Sequence, residues 1–207
     1  MALTTFSELK TAIAGFLNRD DLTSVVGDFI TLAEAQMNRD IRHWRMVERA
    51  TATFSGRYTT LPDDWLETVR LTMGNVSQGY RALRLMSHDQ MERERARDAN
   101  TSGAPLYYAH LGAEIEVWPT PDESYTGELV YIEKIPALSD DQPTNWVLDH
   151  APDAYLYASL LQSAPYLHED ERVAVWGNLY AGAVARLNAT SDSAAASGTS
   201  LRMRMPR

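Results

Sequence analysis

Five histidines are the first residues with which this chain could do chemistry, and their spacing argues against it. His43, His88, His110, His150 and His168 are scattered, and no two stand three or four residues apart, the separation that sets two imidazoles on one helix face to grip a metal. A metal site would have to be assembled wholly by the fold. Acyl transfer lacks its nucleophile, since the chain has no Gly-x-Ser-x-Gly elbow and no cysteine. Gly74-Asn75-Val76-Ser77-Gln78-Gly79 has the glycine spacing of a phosphate loop, but Tyr80-Arg81 stand where lysine and a hydroxyl must hold phosphate and magnesium. A hairpin turn is the expectation there.

The carboxylate clusters Asp63-Asp64, Asp140-Asp141 and Glu169-Asp170-Glu171 could serve as acid and base or hold calcium. Adjacent side chains point in different directions, however, and each cluster lies beside a proline or at a helix start, where turns and caps favour carboxylates. Tyr155, Tyr157, Trp176 and Tyr180 could stack nucleobases, but Asp149, Asp153, Glu169 and Asp170 surround them where cations would be needed. Core packing is expected instead. No catalytic, cofactor-binding or metal residue is assigned, and the chain is not expected to be an enzyme.

The elements follow from periodicity. Thr5-Phe6-Ser7-Glu8 has the form of a capping box, and Phe6, Leu9, Ile13, Phe16 and Leu17 continue at helical spacing, predicting a helix over 5–17. Val25, Val26, Phe29, Ile30, Ala33, Met37 and Ile41 form the stripe of a second helix over 23–43. The period then shortens to two across MVERATATF, RYTTLP, WLETVRLTM and GYRALRL, with turn residues between them, so antiparallel strands are predicted. Ser87 caps a polar helix reaching about Arg97, with few apolar positions. More strands fall around Leu106 to His110, Ala113 to Trp118 and Glu128 to Ile132. Between Pro152 and Pro165 the helical period returns over 153–164, because proline suits a first turn and ends a helix further in. Val173, Trp176, Tyr180, Val184 and Leu187 define a last helix over 170–188. The predicted fold is α+β: a helical bundle from the N- and C-terminal helices, an antiparallel sheet inserted over about 46–135, and an extended C-terminal tail. The body is residues 1–189 and the tail 190–207.

With 207 residues, of which 44% are hydrophobic and 23% charged, the chain can bury a sizeable core. No apolar run is long enough to span a bilayer, so no membrane partner is expected. Glu8, Lys10 and Arg19 interrupt what would be the apolar region of a signal peptide. The net charge of −9 argues against wrapping nucleic acid, whose phosphates need a basic face. The charge is also uneven. Residues 189–207 hold Arg202, Arg204 and Arg207 against Asp192, so of the 19 basic and 28 acidic side chains, 16 and 27 fall in residues 1–188, a net of −11.

That tail reads as adhesive. Thr190 to Ser200 is nearly all Ala, Ser, Thr and Gly, which bury too little apolar area to offset roughly 1–2 kcal/mol of backbone entropy per ordered residue. It is expected to stay loose in the free subunit. In the segment Leu201-Arg202-Met203-Arg204-Met205 an extended backbone sets Leu201, Met203 and Met205 on one side and Arg202 and Arg204 on the other. Such a strip suits strand addition to a sheet edge or an apolar groove with an acidic rim.

The order of elements, the passage Pro143-Thr144-Asn145-Trp146-Val147-Leu148 into Ala151-Pro152-Asp153-Ala154-Tyr155-Leu156-Tyr157, the motif Ala164-Pro165-Tyr166-Leu167 with Asp170-Glu171-Arg172, Pro-Leu-Tyr-Tyr at 105–108, and the strand and turn from Ile115 to Pro121 together resemble the head-to-tail adaptor (connector) proteins of tailed bacteriophages. The resemblance covers nearly the whole chain. It implies a structural virion protein, assembled in the host cytoplasm and placed at the capsid–tail junction. There it would form a homo-oligomeric ring of twelve copies beneath the portal protein, extend the channel through which double-stranded DNA passes without sequence-specific binding, and present a surface to tail or nozzle proteins. The C-terminal extension would grip the portal. Two other readings are a tail-side neck or nozzle protein that never touches a portal, and a virion hydrolase acting on the cell wall, which would need converging carboxylic acids in a cleft.

Overall fold

In the computed structural model, residues 3–22, 24–75, 79–98, 101–167 and 172–196 are described. They form an α+β fold with two compact units: Met1–Arg45 with Ile135–Arg207, and Met46–Lys134.

The first unit is helical: α1 (Phe6–Leu17), α2 (Val26–Asp40), α4 (Trp146–His150), α5 (Pro152–Leu167) and α6 (Val173–Ala196), while α3 (His88–Arg97) belongs to the second unit. The Thr5 hydroxyl accepts the Glu8 amide and caps α1, while the Glu8 carboxylate turns to the Thr4 amide and hydroxyl. α1 stops at Asn18, which takes a left-handed φ of 53°, a conformation asparagine tolerates. α5 touches α1, α2, α4 and α6, and so it buries residues around most of its circumference: Ala154, Tyr155, Leu156, Ala158, Ser159, Leu160 and Ser163.

Three helix ends differ from the sequence reading, each for an identifiable reason. α2 ends at Asp40, short of residue 43, because α6 captures the next backbone donors: Asn188 Oδ1 takes the Arg42 amide at 3.0 Å and Ser191 Oγ takes the Trp44 amide at 2.9 Å. α5 runs through Pro165 to Leu167. A proline two residues from a helix end forfeits only its own bond to the carbonyl four residues back, in a turn that is ending anyway. α6 continues eight residues past 188, into the stretch expected to be loose. Extending an existing helix adds one hydrogen bond per residue without a new nucleus, and alanine is the strongest helix former. Thr190 and Ser193 hydroxyls also return to the carbonyls of Arg186 and Ala189.

The described residues of the second unit hold eight strands and one α-helix. β1 (Val47–Phe54), β8 (Tyr125–Glu133), β3 (Trp65–Asn75) and β4 (Gly79–Ala82) form one antiparallel sheet in the order β1-β8-β3-β4. β2 (Tyr58–Thr60), β7 (Glu114–Trp118), β6 (Tyr107–Leu111) and β5 (Arg84–Leu85) form a second, in which β5 and β6 run parallel. The sequence pointed to one inserted sheet; there are two, because β4 and β5 are separated only by Leu83 and the chain changes sheet there. Phe54, Leu71, Met73, Tyr108, Ile115, Val117, Tyr125, Leu129 and Tyr131 pack between the sheets, following the period-two alternation of each strand. α3 (His88–Arg97) starts at a full capping box of Ser87 and Gln90 and lies on the outer face of the second sheet, burying Met91 against Ala109 and Trp118.

Candidate functional site

The residues singled out for docking, Leu201, Arg202, Met203, Arg204 and Met205, lie outside the described residues. The helix that leads to them is described, and it forms one wall of a groove of about 320 Å³ lined by His43, Trp44, Arg45, Trp146, His150, Leu187, Thr190 and Ala194. Three elements build it. The extended segment after α2 is held to α6 through Asn188 and Ser191. α4 presents Trp146, and it exists because Asn145 Oδ1 accepts both the Val147 and Leu148 amides at 3.1 and 2.9 Å. α6 supplies Leu187, Thr190 and Ala194.

In the groove His43 stacks on Trp146 with ring centroids 5.0 Å apart. The Arg45 amide donates to His43 Nδ1 at 3.2 Å, so the ring's proton sits on Nε2. Burial, then the neighbouring charges of Arg45 and His150, lower the pKa of His43 from its ordinary 6.5. Trp44 is half exposed, and the Arg45 guanidinium lies 4.9 Å from its ring centroid. An aromatic floor with a cationic rim can hold an apolar segment that carries acidic groups. The sequence marked His43, His150, Trp146 and Leu187 separately, and gave no sign that the fold brings them to one groove. Asn188 and Ser191, 146 and 147 residues from their partners, gave no local signal.

Beneath the groove a polar chain secures α4 to the bundle. Asn145 Nδ2 donates to the Pro136 carbonyl at 2.7 Å and to the Tyr155 hydroxyl at 2.5 Å, and Tyr155 donates to Glu34 Oε1 at 3.2 Å. Glu34 also accepts the Leu138 amide, and burial raises its pKa. Burial likewise raises the Tyr155 phenol, and the charge of Glu34 beside it adds to the rise.

In the β unit, α3 presents a second polar constellation. Glu116 on β7 is fully buried, and its Oε1 takes the Arg57 guanidinium at 2.6 Å and that of Arg95. Arg95 also pairs with Glu92, and His88 Nδ1 stands 3.6 Å from Glu116 Oε2. Arg95 turns inward to Glu116, because a fully buried carboxylate must find a cation from the element that covers it, and Arg97 pairs with Glu94 at 3.0 Å on the exposed side.

The other candidates serve the fold. Asp64 accepts the Tyr131 hydroxyl at 3.0 Å and, with Asp63, its carbonyl receives Lys134. Gly74 and Gly79 lie on the β3–β4 hairpin, with Asn75 opposite Gly79. His168 and Glu169 to Glu171 fall outside the described residues. Tyr155, Trp176 and Tyr180 are core residues. Among the described residues no group of three or more His, Asp or Glu side chains could hold a metal, and no helix is long and apolar enough to cross a membrane.

Compared with known proteins, the chain matches the family model described as SU10 adaptor protein over residues 4–204. No curated protein matches it.

Proposed function

The chain belongs to the SU10 adaptor protein family, which makes it a phage adaptor-type protein, and we propose from this premise that it is a head-to-tail adaptor. In this reading twelve copies form a ring beneath the portal, extend the DNA channel and provide the surface to which the tail attaches. Its role is structural, without a catalytic step. The observation that carries the reading is the extent of the family match, which runs through both units and into the C-terminal segment as far as residue 204.

Docking falls to Leu201, Arg202, Met203, Arg204 and Met205, whose alternating apolar and basic side chains suit a sheet edge or an acidic-rimmed groove on the portal. A channel built from bodies of net charge −11 repels phosphates on average, so DNA slides past an acidic or neutral wall rather than sticking to it. α3 contributes little to that field, since Asp89, Glu92 and Glu94 are matched by Arg93, Arg95 and Arg97. Mixing the chain with purified portal and weighing the complex by native mass spectrometry tests the reading. A portal bearing a full ring of copies supports it. A chain that ignores portal and associates only with tail components makes it a tail-side neck protein.

A further inference from the structure

We infer that neighbouring copies in the ring join edge to edge, with β4 of one copy pairing antiparallel to β1 of the next, so that the four-stranded sheet continues from subunit to subunit. The inference rests on the ring reading above. It starts from the two outer strands of the β1-β8-β3-β4 sheet: among the described residues neither β1 nor β4 has a strand on its outer side. An open edge is a row of unpaired amides and carbonyls that templates another strand. β1 is eight residues long, contains no proline, and is exposed along most of its length. All four residues of β4 are exposed.

Direction favours this partner. Successive strands of the sheet alternate in direction, so β1 and β4 point opposite ways. Rotation about an axis along the strands preserves each strand's direction. A copy related by such a rotation therefore brings β1 to β4 antiparallel, through a head-to-tail contact of the kind that closes rings. Pairing β1 with β1 would give a two-fold dimer instead.

The side chains supply a register. Glu48 lies opposite Tyr131 on β8, and Arg81 opposite Met73 on β3, and Tyr131 and Met73 both face the core, so Glu48 and Arg81 are on the same side of the sheet. Setting Glu48 against Arg81 puts Arg49 against Tyr80 on the other face, and Val47 against Ala82. One register thus yields an opposite-charge pair, a cation beside an aromatic ring and an apolar pair, the cross-strand combinations that stabilise antiparallel ladders. Val47 and Tyr80 are 43% and 60% exposed, which leaves both open to this contact.

Disulfide trapping tests the pairing, and the absence of native cysteine makes it clean. Within one copy β1 and β4 are three strand spacings apart, about 14 Å, beyond the roughly 7 Å between Cα atoms that a disulfide can bridge. Oxidised particles assembled with Glu48→Cys/Arg81→Cys should give a ladder of covalent multimers, absent from either single variant. Monomer alone, in particles that contain the chain in its normal amount, overturns the pairing and leaves the ring reading standing. Trapping with Glu48→Cys/Arg204→Cys in its place would also overturn it, by putting the C-terminal segment on the edge. Particles holding a single copy would remove the ring itself. The charge swap is a second readout: Glu48→Arg should prevent ring closure, and adding Arg81→Glu should restore it, whereas unimpaired rings from Glu48→Arg contradict the register.

Discussion

Glu116 is the residue on which the attachment of α3 turns. Its carboxylate is fully buried and neutralises Arg57 and Arg95, whose side chains are mostly buried as well. Replacing it with glutamine keeps the shape and leaves the guanidinium groups of Arg57 and Arg95 with only the half-exposed Glu92 as counter-charge, so Glu116→Gln should cost about 3 kcal/mol in urea unfolding. Glu92→Gln, at an exposed partner of the same arginine, should cost under about 1 kcal/mol. His43 gives a pH dependence. Its folded pKa is depressed, so the neutral ring is the one the fold favours. The stability it contributes is present above pH 6.5 and is lost as pH falls through the lower folded value. The melting temperature should drop on acidification below pH 6.5 by more in the native chain than in His43→Phe, which keeps the stack on Trp146 but has no proton to gain. Equal drops in both would show that His43 is not the titrating group. At this scale the sequence was least legible. Glu116 looked like any strand residue alternating with apolar neighbours, and nothing near Asn188 or Ser191 announced partners beyond residue 40.

The elements were more legible, because their signals are local. The period of two in VERATATF and WLETVRLTM, the Ser87 to Gln90 box and the apolar stripe of α2 each follow from contacts within a few residues. What failed was boundaries decided by distant partners, such as the end of α2, and the polar stretch after 188, where continuation of α6 outweighed composition. These ends carry consequences. Deleting residues 198–207 should leave the melting temperature unchanged and abolish portal binding. Deleting 190–207 should also lower the melting temperature by about 3 °C or more, since it removes the last turns of α6 and the Ser191 hydroxyl that holds Trp44. If both truncations melt alike, those turns contribute nothing to the fold. In the β unit, Gly127 sits beneath the Phe54 ring, where a Cβ would come within 2.3 Å of Phe54 Cε2. Gly127→Ala should destabilise by about 2 kcal/mol in thermal or urea unfolding, because a ring buried between two sheets has little room to move.

For the whole molecule, composition weighed against classes more than it identified one: there is no cysteine for a disulfide framework, and a net charge of −9 weighs against wrapping nucleic acid. The α+β class and the division into helical ends around a β insertion were readable because the hydrophobic period switches twice along the chain. A second sheet was not readable, since one intervening residue, Leu83, carries the chain from one sheet to the other. In the proposed docking, the chemistry is the unevenness of charge between a body of net charge −11 and a C-terminal end that carries Arg202, Arg204 and Arg207. The most direct test is electron cryo-microscopy of the assembled particle's neck, reading the symmetry and neighbours of this chain. The expected result is a twelve-fold ring seated against the portal, with residues 201–205 in contact with it. Density for the chain at the tail side alone, with no contact to the portal, would contradict it.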